Sequence, residues 1–147
     1  MSVFPFIDPD ALQQEESAEL PLFREYAYDF ENNRLLLKNG QTYLVEGNEA
    51  LRIWIYKALA TERFLYAAYD SDFGSEIDSL IGSPLHGDIA KSELKRFIVE
   101  ALMVNPYIEE LGNFQISQTG SGVTAEFDCT TVYGPDKIRW EAKGVNL

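Results

Sequence analysis

Two stretches of the chain carry apolar residues at the spacing of an amphipathic helix. The first follows Asn48, and its apolar positions recur at i, i+3, i+4, i+7 and i+8. They are Leu51, Trp54, Ile55, Ala58 and Leu59. The second begins between Pro84 and Asp88, ends before Asn105, and repeats that spacing. Its members are Leu94, Phe97, Ile98, Ala101 and Leu102. Each stripe lines a helix face that must be buried, so the two helices can cover one sheet.

Asn48 is placed to cap the first helix. Its side chain can accept a hydrogen bond from the unpaired amides of the first turn. Glu49 in that turn lies near the positive end of the helix dipole. We therefore predict a helix that begins at Asn48 and ends near Thr61.

Alternating positions predict strands before and after this helix. From Arg24, one face carries Tyr26, Tyr28 and Phe30, which predicts a half-buried strand. The dipeptide Asn39-Gly40 favours a tight hairpin turn, because both positions tolerate positive φ. Residues 64–69 are aromatic and small, which favours another strand.

The C-terminal third is also rich in strand patterns. A flexible tip at Thr119–Gly122 is followed by alternating inward positions that include Cys129. The last predicted strand, Lys137–Val145, has two faces. One carries Ile138, Trp140 and Ala142, and the other carries Arg139, Glu141 and Lys143.

These patterns predict an α+β fold, in which two amphipathic helices cover a small mixed or antiparallel sheet that ends in a β-hairpin and a terminal strand. We expect residues 22–147 to form a single domain. Residues 1–21 contain three prolines among acidic and small polar residues, which predicts an extended N-terminal arm. Its apolar residues Val3, Phe4, Phe6 and Ile7 are expected to pack on a neighbour or on the domain.

The charge balance excludes several classes of partner. Twelve basic and twenty-four acidic residues give a formal net charge of −12, which opposes binding to nucleic acid or anionic lipid. Cys129 is the single cysteine, which fits assembly in a reducing compartment. The chain shows no signal peptide and no run of about 20 apolar residues that could span a membrane. We therefore expect synthesis in the cytoplasm.

The sequence carries no familiar catalytic motif, and we predict neither a cofactor nor a metal site. No nucleophile elbow, phosphate-binding loop or paired CxxC occurs. His86 is the single histidine, so a capping or surface role is expected of it. The acidic stretch from Asp70 to Asp78 resembles a calcium loop, but Gly74 falls at loop position 5 and Ile81 at position 12, where an EF-hand needs glycine at 6 and an acid at 12.

The adjacent charges Glu62 and Arg63, at the predicted corner between helix and strand, have two interpretations. They form a local or intersubunit ion pair, or Glu62 is a catalytic acid steered by the cation. In the second case the protein would be a lysozyme-like glycoside hydrolase, and Glu62 with Asp70 or Asp72 would be its pair of catalytic carboxylates. Such a pair needs a separation of about 5–5.5 Å or about 6.5–9.5 Å, with one acid protonated through burial.

The final strand also has two interpretations. It is an ordinary paired strand of the domain, or it offers an unpaired edge to a strand from a partner.

Residues 24–82 show an order of motifs that resembles a known family. The order is Tyr-Asp-Phe at 28–30, the helix NEALRIWIYKALATER, the strand FLYAAY, then DFG and Leu-Ile-Gly at 80–82. It resembles the baseplate wedge or sheath-initiator family of contractile-tailed phages, and most closely the branch in defective, bacteriocin-like prophages of Gram-positive bacteria. The resemblance extends to about Phe127. Family members commonly place a proline within the Glu-Arg element, whereas Glu62 and Arg63 are adjacent here.

The resemblance implies an architectural protein without enzymatic activity. Family members occupy a six-fold ring around the tube end in the baseplate of the virion. The expected partners are other baseplate wedge proteins, the tail sheath protein and tube-end or hub proteins. Carried onto this chain, the wedge contacts would be Glu62 and Arg63 with the Phe73-Gly74 pair. The strand that pairs with the sheath would run from Ile138 to Val145 and include Arg139, Trp140 and Glu141.

Overall fold

The computed structural model describes residues 20–63 and 73–143. Within these residues the chain forms two α-helices, a short 3-10 helix and nine strands. The helices are α1 (Gly47–Ala60) and α2 (Gly87–Leu102), and the 3-10 helix spans Ile77–Leu80. The strands are β1 (Arg24–Tyr26), β2 (Tyr28–Asp29), β3 (Arg34–Leu35), β4 (Leu37–Lys38), β5 (Gln41–Thr42), β6 (Leu44–Glu46), β7 (Ile108–Thr119), β8 (Gly122–Thr131) and β9 (Gly134–Lys143). The predicted α+β class is confirmed.

The N-terminal strands are short and pair locally. Antiparallel pairs form between β1 and β6, β2 and β3, and β4 and β5. The predicted strand from Arg24 is interrupted at Ala27, which is 3% exposed and hydrogen-bonds to both Tyr43 and Leu36. Tyr26 and Phe30 are consequently exposed, so their predicted face is not a continuous buried face. The tight turn at Asn39-Gly40 is confirmed, with φ angles of 51° and 76°.

Helix α1 begins as its apolar pattern predicts, but Asn48 does not cap it. The cap position is Glu46, which makes no side-chain capping bond. The Asn48 amide instead donates to the carbonyl oxygen of Gly134 at 3.3 Å, and its side-chain oxygen accepts from the hydroxyl of Thr131. Arg52 adds an ion pair with Asp136 at 2.8 Å. The first turns of α1 are therefore fixed to the turn between β8 and β9.

The C-terminal sheet has the order β7-β8-β9, with antiparallel pairing throughout. Strand β8 lies in the middle, and its predicted inward residues are buried against the helices. Gly122 at the start of β8 lets β9 approach closely, since a Cβ there would lie 2.3 Å from the carbonyl oxygen of Ala142. The predicted hairpin and the inward position of Cys129 are confirmed.

One core joins α1, α2, the 3-10 helix and this sheet. Its most buried large side chains are Ile55, Leu94, Ile98, Leu102, Val123, Cys129 and Ile138. Full burial of one such aliphatic side chain contributes about 1.5–3 kcal/mol. Both predicted helical stripes are confirmed as core faces, except that Trp54 is half-buried. The predicted strand at residues 64–69 and the arm up to residue 19 lie outside the described residues.

Candidate assembly surfaces

The Glu-Arg corner is anchored by main-chain hydrogen bonds directly after α1. Glu62 forms a parallel β-bridge with Ser75. The N–H of Arg63 donates to the carbonyl oxygen of Ser75, and the N–H of Ser75 donates to that of Thr61, both at 2.9 Å. The buried Ser75 hydroxyl donates to the carbonyl oxygen of Leu59, also at 2.9 Å. The backbone at residues 61–63 is therefore fixed against residues 73–75.

The Phe-Gly pair has a visible structural role in this arrangement. Gly74 has a φ of +104°, and a Cβ there would lie 2.9 Å from the carbonyl oxygen of Thr61 and 3.1 Å from the Cα of Arg63. Phe73 packs edge-to-face on Trp54, with ring centroids 6.0 Å apart. The structure thus brings Glu62, Arg63 and the Phe73-Gly74 pair together.

The charged side chains of the corner differ in exposure. Glu62 is exposed and Arg63 is half-buried. The hydrolase interpretation needs a buried acid, whereas Glu62 is exposed. Asp70 and Asp72, the other acids of the hydrolase interpretation, lie outside the described residues.

Strand β9 lies at an edge of the C-terminal sheet. It pairs with β8 from Gly134 to Lys143, and no other described strand pairs with it. Ile138 is 2% exposed and faces the core, whereas Arg139 and Glu141 are exposed. Arg139 forms ion pairs of 3.2–3.4 Å with Glu141 and Glu126. Such exposed pairs contribute at most about 1 kcal/mol.

A partly apolar groove of about 550 Å³ runs beside this edge. Its aromatic walls are Phe30, Tyr56 and Trp140, and Ala60 also lines it. The rings of Phe30 and Tyr56 meet edge-on at 5.1 Å, and burial raises the pKa of Tyr56. Sequence reasoning missed Tyr56 as a groove residue, although an aromatic residue outside the apolar stripe of α1 is a signal for it.

A second groove, of about 440 Å³, lies at the end of α1 beside the corner. It is lined by Thr61 and Phe73 of the corner and shares Phe30 and Ala60 with the first groove. The end of α1 therefore brings the Glu62–Arg63 corner and the middle of β9 to neighbouring positions.

Other candidate chemistry is limited in the described part of the chain. Those residues contain no cluster of three or more histidine, cysteine, aspartate or glutamate side chains that could hold a metal ion. His86 is exposed at the cap position of α2 and makes no side-chain capping bond. Burial raises the pKa of the Cys129 thiol to about 11. Neither described helix is long and apolar enough to cross a bilayer.

Comparison with known proteins agrees with these motifs. Residues 24–134 match the family model for the contractile injection system sheath initiator. The chain is also 32% identical over 124 residues to the phage-like element PBSX protein XkdS of Bacillus subtilis strain 168, a match that covers 84% of each protein. The matched range contains the corner, both helices and the whole of β7 and β8. The chain therefore belongs to the sheath-initiator family of contractile injection systems.

Proposed function

We propose that this chain initiates the tail sheath by offering the edge of β9 to a strand from a sheath subunit. The family assigns a structural role in sheath initiation, which fits a protein that acts through its surfaces. The observation that carries the proposal is the ten-residue strand β9, which among the described strands pairs with β8 alone. Alternate residues of such an edge direct their N–H and C=O groups outward, where a partner strand can pair with them.

The groove beside β9 supports this role. An added strand would place alternate side chains over the aromatic walls formed by Phe30, Tyr56 and Trp140. Main-chain pairing would then supply affinity, and the groove would favour large apolar side chains in the partner.

We further propose that Glu62 and Arg63 contact neighbouring wedge subunits. The main-chain bonds to Ser75 fix the corner before assembly, so little conformational entropy is lost on contact. In this arrangement the chain stands in a six-fold ring in the baseplate, between wedge proteins, the tube end and the first sheath ring. The family resemblance supports this placement.

Proline substitution tests the strand pairing. Neighbouring residues of β9 direct their amides to opposite sides. Of the two variants Arg139→Pro and Trp140→Pro, one therefore removes an amide on the side of β8, and the other removes an amide that faces outward. That variant should fold, as shown by circular dichroism. Particles that contain it should show tubes without sheath by electron microscopy.

The matched control is Arg139→Ala, which keeps the amide and should give normal sheaths. Phe30→Asp changes the groove without altering the core, since Phe30 is 38% exposed, and it should also reduce sheath formation. Normal sheaths on the folded proline variant and on Phe30→Asp would exclude pairing at this edge.

A further inference from the structure

One end of the domain is organised around a buried tyrosine. Tyr107 is 9% exposed, and its ring lies 4.9 Å from Phe23 and 6.2 Å from Tyr133, measured between centroids. The hydroxyl of Tyr133 accepts from the N–H of Phe23 at 2.8 Å. The N–H of Val132 donates to the carbonyl oxygen of Tyr107 at 2.9 Å. These contacts hold residues from three distant parts of the sequence at one place.

The segments joined by this cluster carry six large apolar side chains that are 38–47% exposed. We call this set the apolar end: Leu20, Leu22, Met103, Val104, Val132 and Tyr133. A single exposed apolar residue needs no explanation, but several on adjoining segments mark an interaction surface. Methionine and tyrosine are also enriched in protein interfaces.

The charges near the apolar end indicate which kind of partner fits. Glu109 and Glu110 are exposed directly after Tyr107 and Ile108, and neither forms an ion pair with another described residue. Residues 1–19 contain five acidic residues and no lysine or arginine, and the whole chain has a net charge of −12. The chain's own N-terminal residues or a second copy would therefore bring more negative charge to an acidic rim.

We propose that the apolar end binds a segment of a different tail protein that presents large apolar side chains beside lysine or arginine. The proposal rests on the proposed location of the chain in a contractile tail, but it does not depend on strand pairing at β9. Val132 and Tyr133 of the apolar end directly precede β9, whereas Trp140 of the groove lies six residues after Gly134. Six residues of a strand span about 20 Å, which separates the two surfaces.

Substitution in the assembled particle tests this surface. Val132→Asp should reduce the amount of this chain per tube protein in purified particles by roughly tenfold or more, because it places an unpaired charge in an apolar contact. The control is Ile89→Asp on α2, where the side chain is 63% exposed. Ile89 lies 14 helical positions from Met103, about 21 Å along the axis, and its variant should be incorporated normally. Equal incorporation of both variants would overturn the proposal.

A photo-crosslinking residue at position 132 identifies the occupant without altering the charge. After irradiation of purified particles, mass spectrometry should find a crosslinked peptide from another tail protein that contains apolar and basic residues. Crosslinks to residues 1–19, to a second copy of this chain or to nothing would each contradict the proposal. The two proposed surfaces are separable: a variant defective at β9 stays in the particle without sheath, whereas a variant defective at the apolar end is missing from the particle.

Discussion

At the scale of single residues, Gly74 shows how one backbone position fixes the proposed wedge contact. Its φ of +104° and its closeness to Thr61 leave no room for a side chain. We expect Gly74→Ala to lower the free energy of unfolding by about 2–4 kcal/mol, since it combines an unfavourable φ with a backbone clash. Urea denaturation followed by circular dichroism measures this loss.

The matched control for Gly74 is Gly82→Ala. Gly82 also has a positive φ, of +72°, but a Cβ there would meet nothing within 4 Å. Its substitution should cost only the conformational term of about 1–2 kcal/mol. Equal losses in the two variants would show that the contact with residues 61–63 is unimportant for stability.

Cys129 gives a prediction about pH. Burial of the thiol, which is 1% exposed, and the nearby Asp136 carboxylate raise its pKa from 9.0 to about 11. Between these values the unfolded chain releases the thiol proton while the folded chain keeps it, so stability is lost as pH rises. The loss should approach about 1.4 kcal/mol per pH unit.

The test for Cys129 compares urea midpoints of the native sequence and Cys129→Ala at pH 8, 9 and 10. Other groups also titrate in this range, and the alanine variant retains all of them. The difference between the two proteins should therefore narrow from pH 9 upward. A constant difference would mean that the folded thiol ionises as readily as the unfolded one.

At the scale of elements, Asn48 joins α1 to the turn between β8 and β9. We expect Asn48→Ala to lower the free energy of unfolding by about 1–3 kcal/mol, because the hydroxyl of Thr131, a residue only 4% exposed, loses a partner. Arg52→Ala removes the exposed ion pair with Asp136 between the same elements and should cost at most about 1 kcal/mol. Thermal unfolding measures the loss of stability in both variants. A larger loss in Arg52→Ala than in Asn48→Ala would contradict the proposed role of Asn48.

At the scale of the whole molecule, the sequence predicted the helices and strands whose apolar residues recur at a regular spacing. Helices α1 and α2 and strands β8 and β9 each repeat a regular apolar pattern, so their elements and buried faces could be read directly. The interruption of the strand at Ala27 could not be predicted, because Ala27 bonds to Tyr43 and Leu36, which are not its neighbours in sequence. The prediction that Asn48 caps α1 was wrong for the same reason, since its partners Thr131 and Gly134 are distant in sequence.

The candidate sites were predictable to a similar extent. The motifs around Glu62 and Phe73 indicated the corner, but only the fold shows that Gly74 packs against its backbone. The apolar end has no local signature, since the segments near residues 22, 104 and 132 meet through contacts among Phe23, Tyr107 and Tyr133, which are distant in sequence. Local sequence patterns do not predict surfaces that are assembled from distant segments.

The position of β8 in the middle of its sheet governs when the protein can fold. The core around α1 needs a strand that begins only at residue 122, and contacts such as Phe23 with Tyr133 span 110 residues. Non-local contacts of this kind slow folding, because a long loop must close before they form. On the ribosome, the apolar faces of both helices would stay uncovered until β8 has emerged, so a chaperone that shields these faces would raise the yield of folded protein.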